Sequence, residues 1–146
     1  MERSSGAAPP RRLRASDRSS ANGDLLRVEI RGAGKKLSIV SLAGELDLST
    51  IPRLEGCLFD ELSSRAGVVV DLTGLSFIDS SGIGLLIKAH QATDGTATLH
   101  TVLSRGSQVE RVFDLVGIGR AMALFFDRET AIVALEQPGA KDGRRA

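Results

Sequence analysis

The residues best suited to chemistry lie in one short run, Phe77-Ile78-Asp79-Ser80-Ser81-Gly82-Ile83-Gly84-Leu85-Leu86. An acid, two adjacent hydroxyls and two glycines stand between a strand-like segment and an apolar, helix-like one. Such a junction is the start of a helix, where the first N–H groups have no partner within the helix. A phosphate placed there faces donor N–H groups and the positive end of the helix dipole. Gly82 and Gly84 each cost a helix about 1 kcal/mol relative to Ala, twice within one turn. Their missing side chains would let another backbone, or a kinase active site, approach the hydroxyls. The plainer alternative is that Asp79 or Ser80 is only an N-cap and that the glycines ease helix-to-strand packing.

Other chemistries fit less well. Asp79, Ser80, Ser81, His90 and His100 supply the residue types of a hydrolase triad. However, His90 lies nine residues beyond Ser81 on the same expected helix, about 13 Å along its axis at 1.5 Å per residue, and a base must lie within hydrogen-bond reach of its nucleophile. Ser80 also lacks the G-x-S-x-G elbow. Gly82-x-Gly84 and Gly117-x-Gly119 are fragments of a nucleotide fingerprint, with neither a third glycine nor a P-loop Lys. Cys57 is the only cysteine, so neither an intramolecular disulfide nor a Cys-rich zinc site can form. Cys57 is expected to be a small buried hydrophobe. Neither a metal nor a cofactor is expected.

The elements that must position the Asp79–Gly84 run follow from periodicity. Leu25, Val28 and Ile30, then Leu37, Ile39, Val40 and Leu42, form two strands joined by a turn at Gly32-Ala33-Gly34-Lys35. Ile51, Leu54, Leu58 and Leu62 recur at helical spacing, with Ser49 or Thr50 as cap and Pro52 in the first turn, so a helix runs to about Ser64. Val68, Val69, Val70 and Leu72 read as a strand covered on both faces. After the Asp79–Gly84 run, an apolar helix extends to about Gly95, and Thr98 to Leu103 forms a further strand. Ser107 and Glu110 have the form of a capping box ahead of Val109, Val112, Phe113 and Val116, with a stop at Gly117. Met122 to Phe126 is a last strand, and Asp127 caps a terminal helix. The order ββαβαβαβα predicts an α/β domain, a single mixed sheet of about five strands packed with about four helices.

At 146 residues the chain fits one domain, expected over residues 25–136. Residues 1–24, rich in Ser, Gly, Pro and Arg, and residues 137–146 are expected to be disordered tails, because they cannot bury enough apolar surface to offset their ordering entropy. Nineteen Lys plus Arg against 18 Asp plus Glu leave a net charge of +1. The tails are basic and the body is acidic, and this balance does not favour direct nucleic-acid binding. The absence of Trp and Tyr removes the usual base-stacking platforms. No apolar run approaches the roughly 18 residues that span a bilayer, and the Arg-bearing N-terminus lacks the apolar stretch of a secretory signal. An unexported, cytoplasmic protein, monomeric or weakly dimeric, is expected, with no membrane partner.

Three segments at their mutual spacing make the chain recognisable. These are Gly44-Glu45-Leu46-Asp47 followed by Ser49-Thr50, Asp79-Ser80-Ser81-Gly82-Ile83-Gly84, and Val109-Glu110-Arg111-Val112-Phe113-Asp114-Leu115-Val116-Gly117. Together they resemble the STAS domain, and more closely the bacterial anti-sigma factor antagonists, over about residues 25 to 136.

The resemblance implies a partner switch and no enzymatic activity. In that family the unphosphorylated antagonist binds an anti-sigma factor that is an ATP-dependent serine kinase, which frees the sigma factor. Phosphorylation of the antagonist ends the binding, and a PP2C-type phosphatase resets it. The resemblance makes Ser80 the phosphoacceptor, with Ser81 as the alternative. It assigns Gly44, Glu45, Asp47, Asp79, Ser80, Ser81, Gly82 and Gly84 to partner binding. The other reading within the same fold is a stand-alone STAS subunit of a lipid-transport ATPase complex or a stress-signalling scaffold.

Overall fold

The computed structural model describes residues 25–93, 97–120 and 122–137, together with the pair Arg11–Arg12. Its elements are β1 (Arg11–Arg12), β2 (Leu26–Ala33), β3 (Leu37–Leu46), α1 (Ile51–Ser64), β4 (Gly67–Ile78), α2 (Ser80–Ala92), β5 (Thr98–Val102), α3 (Gln108–Val116), β6 (Ala123–Phe125) and α4 (Arg128–Glu136), with a 3-10 turn at Ile118–Arg120. The strands form one mixed sheet in the order β1-β2-β3-β4-β5-β6. β2 and β3 are antiparallel, and β3 through β6 run parallel.

Alternation along the strands sends side chains to two cores. Val28 and Ile30 of β2, Val40 and Leu42 of β3, and Val68, Val70 and Leu72 of β4 pack with Leu54 and Leu58 of α1, Leu86 of α2 and Phe113 of α3. Ile39, Val69, Val102 and Phe125 meet Ala131 of α4 on the other side. β4 is therefore sandwiched, as its β-branched run predicts, and Val68, Val69 and Val70 are wholly buried.

Several boundaries differ from expectation. The segment 1–24, expected as a disordered tail, contributes β1, with Arg11 opposite Ile30 and Arg12 opposite Glu29. The unpaired N–H and C=O groups of an edge strand accept a polar segment that has no apolar face of its own. The sheet thus has a sixth, two-residue strand beside the five anticipated; the remainder of that tail, and residues 138–146, lie outside the described residues. α2 stops at Ala92 rather than near Gly95, where the Thr93 hydroxyl donates to His90 O at 2.7 Å. The hairpin turn lies at Gly34 to Lys36, one or two residues later than its glycines suggested, and Gly34 takes φ 73°.

Candidate functional site at the start of α2

β4 ends at Ile78 and α2 begins at Ser80, so Asp79 is the residue between them and the N-cap of the helix. Its Oδ1 accepts the N–H of Ser81 at 2.9 Å, the N–H of Gly82 at 3.0 Å and the hydroxyl of Ser81 at 2.6 Å. Desolvation raises the Asp79 pKa, but the bonds from the Ser81 hydroxyl and the Gly82, Leu48 and Ser81 N–H groups outweigh it and hold the carboxyl below its ordinary value. The group is an anion at neutral pH.

This arrangement corrects the expectation that the helix start offers open N–H groups to a phosphate. Asp79 already occupies that place with a built-in carboxylate. A phosphate added next door meets its like charge. Ser80 is exposed, and its hydroxyl has no hydrogen-bond partner among the described residues, whereas the Ser81 hydroxyl is spent on the cap.

The two glycines have different roles. A Cβ at Gly82 would stand 2.8 Å from Ile78 Cγ1 and 3.0 Å from both Cγ and O of Leu46. Gly82 is thus needed for internal packing, as the plainer alternative anticipates, and it is buried away from any visitor. A Cβ at Gly84 would meet nothing within 4 Å. This residue lies on the exposed face of α2 one turn beyond Ser80.

Gly44, Glu45 and Leu46 complete β3, which thus runs four residues past Leu42, the last strand residue that the sequence pattern marks. Glu45 pairs with Phe77 and Leu46 with Ile78, across register shifts that let β3 reach the end of β4. Gly44 adopts φ 108°, and a Cβ there would fall 2.0 Å from Leu25 O, so only glycine fits. The Glu45 N–H then donates to Leu25 O at 2.6 Å. The Asp79 N–H donates to Leu46 O at 3.2 Å, which ties this element to the start of α2.

Asp47 then builds a turn into α1. Its Oδ1 accepts the Ser49 N–H at 3.0 Å, the Ser49 hydroxyl at 2.7 Å and the Thr50 N–H at 3.2 Å. Thr50 occupies the N-cap position but sends its hydroxyl back to Glu45 O at 2.9 Å, away from the helix it precedes. The structure therefore gathers Glu45, Asp47, Asp79 and Ser80 along the C-terminal rim of β3 and β4. Two apolar side chains that sequence reasoning passed over are exposed on the same rim, Leu48 at 74 % and Phe77 at 37 %.

The STAS domain family model matches residues 27–131. The chain belongs to this family, among the anti-sigma factor antagonists. It is 31 % identical over 80 residues to the anti-sigma-B factor antagonist of Staphylococcus epidermidis, an overlap of 54 % of this chain and 74 % of that relative. In fold it is similar to an anti-sigma factor antagonist from Mycobacterium paratuberculosis, with TM-score 0.71 and 23 % identity over 78 % of this chain and 97 % of the other. It is also similar to the Bacillus cell fate determinant SpoIIAA in its phosphorylated form, with TM-score 0.56 and 21 % identity over 75 % and 99 %.

The remaining candidates of this STAS domain lie elsewhere or serve the fold. In the third segment, Ser107 caps α3 by accepting the Glu110 N–H at 3.1 Å, and Gly117 ends it at φ 69°. Glu110 reaches one residue past the cap and accepts the Gly106 N–H at 2.6 Å, while the Ser107 N–H donates to Ser104 O at 3.2 Å, so only the serine half of the expected capping box forms. His90 is half-buried further along α2, and desolvation lowers its pKa. His100 is wholly buried, with Nδ1 3.1 Å from Ala131 O and its ring 4.6 Å from that of Phe125. Cys57 is half-buried rather than buried, and its thiol faces Leu54 O at 3.3 Å. Among the described residues, no helix is long and apolar enough to cross a membrane.

Proposed function

We propose that this protein is a partner-switching anti-sigma factor antagonist of the cytoplasm whose switch is the Ser80 hydroxyl. The unphosphorylated form binds an anti-sigma factor that is a serine kinase, and so releases the sigma factor. The kinase transfers the γ-phosphoryl group of ATP to Ser80 Oγ: a new P–O bond forms, the bond to the β-phosphate breaks, ADP leaves, and the hydroxyl proton passes to a base of the kinase. A PP2C-type phosphatase restores the hydroxyl by hydrolysis.

The observation that carries this reading is the contrast at the start of α2, where Ser80 is exposed and unengaged beside a carboxylate held in place by three hydrogen bonds. Phosphorylation adds about −1.5 to −2 charge. Close to ionised Asp79, and inside an interface that must be dried, that charge weakens docking about tenfold to a thousandfold, at 1.4 kcal/mol per tenfold. The domain has no need to refold. A phosphorylated form of SpoIIAA, similar to this chain in fold, supports the same reading.

The test is to incubate the full chain with ATP and purified anti-sigma factor kinases and to follow intact mass. Gain of one phosphate, mapped to Ser80 and absent in Ser80→Ala, is expected. Copurification with a transport ATPase and no phosphate gain would favour the subunit reading instead.

A further inference from the structure

The two turns on the sheet rim are built alike. In Asp47-Leu48-Ser49-Thr50 the aspartate Oδ1 accepts the N–H and hydroxyl of the residue two positions on, at 3.0 and 2.7 Å, and the next N–H at 3.2 Å. In Asp79-Ser80-Ser81-Gly82 the same three bonds measure 2.9, 2.6 and 3.0 Å. In each turn the residue between the aspartate and the serine is left projecting, Leu48 in one and Ser80 in the other. The turns are also tied together, since the Asp79 N–H donates to the oxygen of Leu46, the residue before Asp47, at 3.2 Å.

An Asp-X-Ser turn fixes its own backbone through Asp and Ser and asks nothing of the side chain at X. A polar residue would serve the fold as well there, yet the chain presents a leucine that is 74 % exposed. Phe77, two residues before Asp79 and opposite Glu45, adds a second apolar side chain to the rim. Three half-buried carboxylates, Glu45, Asp47 and Asp79, lie along the same rim.

We propose that Leu48, assisted by Phe77, is the apolar anchor that holds the anti-sigma factor kinase while Ser80 lies in its active site. The complementary surface on the kinase is an apolar pocket rimmed by Lys or Arg, matched in charge to the three carboxylates. This inference rests on the partner-switch reading and adds the residue that carries affinity, separate from the residue that is modified. Leu48 acts by positioning and takes no part in the transfer.

The experiment uses the full chain and the purified anti-sigma factor kinases, measuring affinity by calorimetry and the rate of Ser80 phosphorylation. Leu48→Ala is expected to weaken binding about tenfold and Leu48→Asp further, as for a buried interface anchor. KM for phosphorylation should rise in step while kcat holds, and the melting midpoints should stay at the wild-type value. If Leu48→Asp binds like wild type while Ser80→Asp binds weakly, the anchor is overturned and the switch stands. If no kinase binds or phosphorylates the wild type, both fall.

Discussion

The Ser81 hydroxyl donates to Asp79 Oδ1 at 2.6 Å, whereas the hydroxyl of Ser80, one residue earlier, is exposed and unengaged. The two serines therefore separate by experiment. Ser81→Ala removes one charge-assisted bond from the cap and should lower stability by about 1 to 2 kcal/mol while Ser80 is still phosphorylated. Ser80→Ala should change stability by less than about 0.5 kcal/mol and abolish the modification. Chemical denaturation paired with phosphosite mapping checks both, and phosphate found on Ser81 in the wild type would reverse the assignment.

Gly82 and Gly84 make a second contrast within one helical turn. Alanine at Gly84 meets open space and should stabilise the domain by up to about 1 kcal/mol through helix propensity. Alanine at Gly82 gains the same propensity but pushes on Ile78 Cγ1 and on the backbone oxygen of Leu46. The overpacking should outweigh the gain and leave a net loss of about 1 to 2 kcal/mol. Thermal melts of the two variants, shifted in opposite directions, are the expected result.

The element order was legible because it is written in local patterns. Leu54, Leu58 and Leu62 at helical spacing, the Val68–Val70 run, the Ser107/Glu110 box and the Asp127 cap each declare an element without help from distant residues. Gly44 to Leu46 was not legible as strand, because what holds it there is non-local: the approach of Leu25 O, from just before β2, and the pairing of Glu45 and Leu46 with Phe77 and Ile78 of β4. At the site, Asp79 as cap could be read, but the filling of the helix start by its own carboxylate depends on a side-chain direction that spacing does not encode. The prominence of Leu48 did leave a trace, the Asp-X-Ser pattern shared by residues 47–49 and 79–81. The Arg128–Asp71 pair, 57 residues apart, left none.

Acid should loosen the fold through these aspartates. Asp71 is raised by desolvation, but bonds from Thr73 and Arg128 outweigh this and leave it low; Asp79 is also held low, as is Asp127 through the Thr130 N–H and hydroxyl. A carboxyl whose folded pKa lies below its unfolded value, about 3.9 for Asp, binds protons less readily when folded. Its stabilisation is therefore present above that value and is lost as pH falls through the folded pKa. Melting midpoints should be flat near neutrality and fall below about pH 4. Asp71→Asn should be less stable at neutral pH and show a shallower acid slope; an unchanged slope in that variant would assign the acid transition to other groups.

Arg128 offers the means to separate stability from docking. From the first turn of α4 its Nε and Nη2 reach Asp71 Oδ2 at 3.0 and 2.6 Å, and Nη2 also donates to Ser41 Oγ at 3.1 Å. These groups lie on the α4 side of the sheet, in a cleft of about 230 Å3 with Arg27, Glu29 and Thr73, across the sheet from α1 and α2. Asp71 is only 4 % exposed, so removal of its cation leaves a buried carboxylate served by Thr73 alone, through its N–H at 2.9 Å and hydroxyl at 2.7 Å. Loss of one partner of such a pair costs about 3 kcal/mol when both ions are buried; since Arg128 keeps 44 % of its side chain in solvent, Arg128→Met should lose about 1 to 3 kcal/mol. Kinase affinity at a temperature where the variant is fully folded should match the wild type, because neither Ser80 nor Leu48 touches this pair. A variant that keeps its stability but loses its partner would place the docking surface on the α4 face of the sheet and away from the rim.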